Sequence, residues 1–258
     1  MKVVIFAGGL GTRIAEETDT RPKPMVEIGG KPILWHIMKI YSHYGFDDFI
    51  VCLGYKGYVI KEYFMNYFLH NSDITIDIAN NKMQVLGTHS EAFKVTLIET
   101  GSTTKTAGRL KQVQQYIGNE DFMLTYGDGV ADINIDDLVA FHKSHAKIAT
   151  VTAVQLEARF GGMDIGKNNE VASFKEKAKD ESKWINAGFF VLKPEVFEYL
   201  ADDMNEMMWE DEPLENLTNN NELVAFKHTG FWKCMDAMRD KIELEAMWKN
   251  KAAKWKIW

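Results

Sequence analysis

The stretch KVVIFAGGLGTR, residues 2–13, decides the fold. Val3 to Phe6 form an apolar run with no polar alternation, as in a central parallel strand covered on both faces. Glycines at 8, 9 and 11 follow at once. Glycine at such a turn permits positive φ and close approach of a ligand, so successive N–H groups can point at one anion. Arg13 then adds a fixed planar cation. Taken alone, the glycines fit a tight turn without a ligand better than an anion site. Two familiar signatures do not apply: position 13 holds arginine where a dinucleotide fingerprint needs its third glycine, and no Gly-Lys-Ser/Thr closes the loop as in a P-loop. The same strand mouth leads into RPKPM, residues 21–25, where Pro22 and Pro24 fix the backbone on both sides of Lys23. A lysine held this rigidly suits a phosphate clamp better than a solvated surface.

Outward from that strand, the pattern alternates. KPILWHIMKIYSHYG, residues 31–45, reads as a helix with Pro32 in its first turn, Ile33, Ile37, Ile40 and Tyr44 on one face and Gly45 past its end. DDFIVCLGY, from residue 47, reads as the next buried strand and YVIKEYFMNYFLH, residues 58–70, as the next helix. Residues 73–99 change character and predict a small β-hairpin insertion around the turn-forming pair Asn80-Asn81. GRLKQVQQYIG (residues 108–118) returns to helix, DFMLTYGDG (121–129) to strand, and WINAGFFVLK (184–193) to strand again. The fold class expected is α/β: a Rossmann-like, mostly parallel mixed sheet with helices on both faces in a single domain over 1–258. In such sheets ligands bind beyond the carboxyl ends of the strands, where both glycine-rich points fall.

The chain has 258 residues and a formal net charge of -7, which argues against a nucleic-acid partner. No apolar stretch reaches the roughly 18 residues of a membrane span, so no membrane partner and a cytoplasmic location are expected. Cys52 and Cys234, far apart in sequence, fit neither a disulfide framework nor a metal cluster. The C-terminal segment 236–258 combines a helix with three tryptophans, at 248, 255 and 258, which suggests docking on the protein body or a subunit contact in a homo-oligomer.

Two carboxylates stand out. Asp128 sits between glycines in YGDGV, directly after a buried strand, where a hard cation and phosphates would find room; an ordinary Asp-Gly turn is the alternative. Asp236 precedes the last helix and, taken alone, reads first as a helix-start residue. Together with a triphosphate they could hold Mg²⁺.

In order along the chain, AGGLGTR, RPKPM, GDG, FKEK and NAGFFVLKP resemble the sugar-phosphate nucleotidyltransferases. The longer stretches KPMVEIGGKPILWHIMKIYSHYG, GYKGYVIKEYF, TYGDGVADI and RFGGMDI are similar to the branch that uses CTP and glucose 1-phosphate. The resemblance implies in-line attack of the sugar phosphate on the α-phosphorus, with pyrophosphate leaving, toward activated deoxysugars of surface polysaccharide such as O-antigen. It implies that Phe6, Ala7, Gly8, Gly9, Leu10, Gly11 and Thr12 hold the nucleotide, with Arg13 at the leaving phosphates and Lys23 at the α-phosphate. Thr106 and Arg109 would read cytosine or its ribose, although periodicity alone makes their segment a polar loop before a helix. Phe160, Gly161, Gly162, Glu176, Lys177 and Asn186 would bind the sugar phosphate, and Asp128 and Asp236 the Mg²⁺. Ala178 stands where the family usually has proline after the Glu-Lys pair. Another triphosphate, such as UTP or dTTP, another sugar 1-phosphate, and a non-catalytic nucleotide-binding protein are the alternatives. The five charged residues Arg13, Lys23, Asp128, Lys177 and Asp236 are all present, which counts against the last.

Overall fold

The computed structural model describes residues 1–155, 162–165, 171–175, 184–201 and 203–258. Its frame is a seven-stranded sheet in the order Leu223–His228, Ala149–Val154, Ile185–Leu192, Phe122–Tyr126, Val3–Phe6, Asp48–Leu53, Lys94–Glu99. Val3–Phe6 lies inside it, parallel to both Asp48–Leu53 and Phe122–Tyr126. Ile185–Leu192 alone opposes its neighbours, being antiparallel to Ala149–Val154 and to Phe122–Tyr126. The sheet is therefore mixed and mostly parallel, with helices over both faces, as the sequence pattern predicts.

The unbroken apolar run of the first strand follows from two covered faces. Val3 and Ile5 point into one core with Ile33, Ile37 and Ile40 of helix Ile33–His43 and Leu138 of helix Ile135–Lys143. Val4 and Phe6 point into the other with Ala107, Leu110 and Val113 of helix Thr106–Ile117. Gly45 takes φ 80 just past the first of these helices, a conformation that glycine reaches without steric cost. No helix among the described residues is long and apolar enough to cross a membrane.

The expected insertion at 73–99 is narrower than its sequence suggests. Ser72–Asp77 and Lys82–Thr88 pair as an isolated hairpin, with Asn81 at φ 50 in its turn. Lys94–Glu99, however, pairs in parallel with Asp48–Leu53 and closes one edge of the main sheet. Three strand-like runs in succession look alike in sequence; the third leaves the hairpin because its partner is already in place at Asp48–Leu53.

The C-terminal tryptophans dock on their own chain. Trp255 is buried and donates its indole N–H to His36 Nδ1 at 3.4 Å. Trp248 packs edge-on to the same imidazole with 4.8 Å between ring centroids, and Trp258 meets Trp35 at 5.8 Å. Trp248 also lies over Gly29, at φ 60, where an added Cβ would fall 2.0 Å from the indole nitrogen. His36 Nε2 in turn donates to the Ile28 carbonyl at 2.8 Å. Both ring nitrogens are thus used by the neutral Nε2–H tautomer, and burial lowers the pKa of His36 to about 4.

An unfolded chain protonates this histidine near its ordinary pKa of 6.5, the folded chain only near 4. Between those values the unfolded state binds more protons, so stability is lost as pH falls through that window. Urea midpoints should drop between about pH 7 and about pH 5, and His36→Gln, starting lower, should drop less over the same interval.

Candidate active site

The glycine loop leaves the sheet between two neighbours that hold it from both sides. Ala7 donates its N–H to the Cys52 carbonyl at 3.0 Å, and Gly127 donates to the Phe6 carbonyl at 3.0 Å. Gly11 has φ 66, and an added Cβ there would lie 2.7 Å from Thr18 Cγ2, so conformation and space both demand glycine. Among the described residues, none accepts a hydrogen bond from the backbone N–H of Gly8, Gly9, Leu10 or Gly11. Successive unpaired donors at a strand mouth suit an anion.

Lys23 stands across from this loop in the short 3-10 turn Lys23–Met25, between two prolines as the sequence implies. Its Nζ lies 2.7 Å from Asp128 Oδ2 and 2.6 Å from Asp236 Oδ1. Arg13 Nη1 reaches the second oxygen of Asp236 at 3.1 Å. Burial would lower the pKa of Lys23, but the two carboxylates outweigh it and raise it above the ordinary lysine value. Burial would likewise raise the pKa of Asp236; Lys23 and Arg13 overcome this and lower it. Lys23 serves as the shared counter-ion of Asp128 and Asp236.

Local structure brings the two carboxylates together. Gly129–Ala131 and Trp232–Cys234 form a two-stranded antiparallel ribbon in which Cys234 faces Gly129. Met235 donates its N–H to the Asp128 carbonyl at 2.8 Å, extending the ribbon by one bond between the two acids. The helix-start role that Asp236 could have had belongs to Asp240, whose Oδ2 accepts from Asp236 N at 3.1 Å and Ala237 N at 2.8 Å. Asp236 is thereby left to face the loop. Beside it, burial and the adjacent carboxylates push the Cys234 thiol up to about 12, so it stays protonated.

A cavity of about 420 Å³ opens between these groups. Phe6, Ala7, Gly9, Gly11, Thr12 and Arg13 line one side, with Lys23, Asp128 and Asp236 at its base. Thr106 lines the same cavity, and its hydroxyl donates to Glu210 Oε2 at 2.9 Å and accepts from Trp209 N at 2.7 Å. A smaller recess of about 190 Å³ adjoins it, sharing Tyr126, Asp128 and Asp236 and adding Asn186 and Trp232. Asn186 Oδ1 accepts from Gly188 N at 2.7 Å while its amide donates to the Tyr126 hydroxyl at 3.2 Å. Two chambers therefore meet at the pair of carboxylates.

Several expected site residues fall elsewhere. Arg109 does not line the cavity: it is buried beneath the glycine loop, donating to the carbonyls of Leu53 at 2.9 Å, Gly101 at 2.9 Å and Gly8 at 3.0 Å and to Thr100 Oγ1 at 2.6 Å. In place of the contact to the base expected of it, its guanidinium turns both Nη groups to the chain. Gly8 is glycine for the same reason, since an added Cβ would lie 2.1 Å from Arg109 Nη1. Leu10 is 55% exposed and lies outside the lining. Gly162 begins strand Gly162–Ile165 opposite Lys175. Phe160, Gly161, Glu176, Lys177 and Ala178 lie outside the described residues. Sequence reasoning missed Tyr126, Met208 and Glu210, all on the wall of the larger cavity. The only local signal for Glu210 is its place next to Trp209, which is fully buried.

A glycine loop whose N–H groups have no partner among the described residues, a lysine between two carboxylates and two joined chambers at the carboxyl ends of parallel strands suit a phosphate-bearing nucleotide and a second, smaller substrate. The chain belongs to the nucleotidyl transferase family, whose model matches residues 2–246. The glucose-1-phosphate cytidylyltransferases of Salmonella typhimurium and Salmonella typhi are each 54% identical to it over 259 residues, covering 100% of both chains. The solved structure of HddC from Yersinia pseudotuberculosis has the same fold, with a TM-score of 0.67 at 24% identity over 96% of this chain and 99% of that one.

Removing Arg109 takes away four hydrogen bonds from a charged donor to the segments around Leu53, Thr100–Gly101 and Gly8, each worth about 1.5–3 kcal/mol. Arg109→Ala should lower the melting temperature by several degrees and weaken every nucleoside triphosphate alike; a changed ratio of CTP to UTP affinity, read by calorimetry, would return the residue to the base.

Proposed function

We propose that the protein transfers a cytidylyl group from CTP to α-D-glucose 1-phosphate, giving CDP-glucose and pyrophosphate. The observation that carries this reading is Lys23 held between Asp128 and Asp236 at the foot of the glycine loop. The full-length relatives at 54% identity, named for this activity, supply the choice of base and sugar.

A phosphate oxygen of the sugar phosphate attacks the α-phosphorus of CTP as the bond from that phosphorus to the leaving pyrophosphate oxygen breaks. No group of the protein needs to become covalently attached, so the chain contributes position and charge. The N–H groups of Gly9 and Gly11, which line the cavity, bind phosphate oxygens of the nucleotide. Arg13, the more exposed cation, faces the departing phosphates. Lys23 lies at the junction of the two chambers and compensates the charge that builds on the α-phosphate. Thr106 and Glu210 offer a donor-acceptor pair in the same cavity for base or ribose. Asn186 offers its amide to the sugar from the smaller recess. Phe160, Gly161, Gly162, Glu176 and Lys177 complete the sugar-phosphate side in this reading, as the sequence motifs imply.

A divalent cation fits the residues present. Oxygens of Asp128 and Asp236 already converge on a single cationic atom, the Lys23 ammonium nitrogen. Among the described residues no set of three His, Cys, Asp or Glu side chains gathers as a metal cage. Two carboxylates with substrate oxygens and water is the ligand set Mg²⁺ prefers. Asp128 and Asp236 would hold Mg²⁺, which supplies charge neutralisation on the phosphates.

Pyrophosphate release with glucose 1-phosphate and Mg²⁺, compared across CTP, UTP, dTTP, ATP and GTP, tests the assignment. Release with CTP well above the other four is expected; release favouring another base keeps the chemistry and discards cytosine. Lys23→Ala should lower kcat by about 10²–10³ with the fold intact by circular dichroism, the loss seen when one preorganised charge is taken from a transition state. Near-normal turnover would remove Lys23 from the reaction.

A further inference from the structure

Four charged side chains meet where the two chambers join, and their charges cancel. Lys23 touches Asp128 Oδ2 and Asp236 Oδ1, and Arg13 touches Asp236 Oδ2. Both oxygens of Asp236 therefore face a cation. The two cations are not equivalent, since the Lys23 side chain is 14% exposed and that of Arg13 is 77% exposed. Arg13 is paired in an exposed position, where water and salt weaken the interaction. Lys23 is the cation that the cavity floor encloses.

The carboxylates that this lysine occupies are the ones the proposed function gives to the metal, and the inference rests on that reading. A divalent ion arriving alone finds the oxygens already bonded, the local charge already balanced and an ammonium group in its way. It must displace Lys23 and leave that charge unpaired in a poorly solvated place, which costs much of what the metal would gain. A nucleoside triphosphate changes the balance. It brings several negative charges to the loop facing Lys23 and Arg13, so both cations have a new anion to pair with and the carboxylates are released.

We propose that Lys23 keeps divalent metal off Asp128 and Asp236 until a nucleoside triphosphate is bound, so that metal and nucleotide enter the site together. The lysine thus acts twice, as a plug in the free protein and as a phosphate ligand in the loaded one. The same arrangement accounts for two acids standing side by side in a half-buried site: the ammonium offsets their mutual repulsion when no metal is there.

The test measures Mn²⁺ binding without nucleotide, by electron paramagnetic resonance of the free ion, for the intact protein and for Lys23→Met and Lys23→Gln. Removing the plug leaves a net negative pair, and both variants should bind Mn²⁺ alone at least roughly tenfold more tightly than the intact protein. Adding the α,β-methylene analogue of CTP should raise the affinity of the intact protein to the level of the variants or beyond. Lys23→Gln keeps a polar group of similar reach and preserves the comparison if the methionine variant folds poorly. Equal binding of Mn²⁺ alone by the intact protein and both variants overturns the plug. Adding Asp128→Asn to Lys23→Gln should abolish the gained affinity; if it does not, Asp128 is no metal ligand, and the metal site falls together with the plug.

Discussion

The bond between Lys23 and two aspartates from remote parts of the chain is the constraint on which the rest of this site depends. Asp128 lies 105 positions after the lysine and Asp236 lies 213 positions after it. Holding three such groups within hydrogen-bond distance requires each backbone to be fixed independently. Two prolines fix the lysine, a glycine-flanked strand end fixes the first acid, and a two-stranded ribbon fixes the second relative to the first. The central sheet supplies the common frame, because its parallel strands bring their carboxyl ends to one edge.

Support extends below the loop as well as around it. Arg109 is a buried cation whose guanidinium faces carbonyls from the ends of two parallel strands and from the glycine loop itself. Oriented carbonyl dipoles can satisfy such a group without a carboxylate, and a planar fork suits several acceptors spread around it better than an ammonium would. The loop that presents N–H groups upward is thus held from below at the Gly8 carbonyl. An anion site made of backbone donors keeps its shape only if something binds the other side of each peptide.

Much of this was legible in the sequence, for reasons particular to the residues. The unbroken run Val3 to Phe6 could only be a strand covered twice, and the glycines after it marked the strand mouth. The proline pair around Lys23 and the glycine pair around Asp128 carried their own geometry. Other parts were not legible. The ribbon that aligns Asp128 with Asp236 pairs two strands of three residues each, too short to show periodicity. Glu210 reaches the cavity through a hydrogen bond to Thr106, more than a hundred positions earlier, which no local pattern encodes. Arg109 was legible as important and not as buried, because an arginine in the first turn of a helix looks the same whether its fork meets a ligand or three carbonyls. Lys94–Glu99 was legible as a strand and not as a member of the main sheet, since pairing partners are a tertiary property.

The helix Met238–Lys249 ties two distant features of the molecule. Asp236 stands just before its first turn, and Trp248, near its far end, is wedged against Gly29 and His36. One rigid rod therefore connects the aromatic cluster behind the sheet to an acid of the site, much as an axle connects two wheels. During synthesis, the nucleotide loop and its lysine leave the ribosome long before this rod does, and chains generally begin folding from the part made first. A nascent chain can thus complete its glycine loop while the lysine is still without its second acid. The site is complete only once Trp232–Cys234, made near the end of synthesis, has paired with Gly129–Ala131 and brought Asp236 to the lysine.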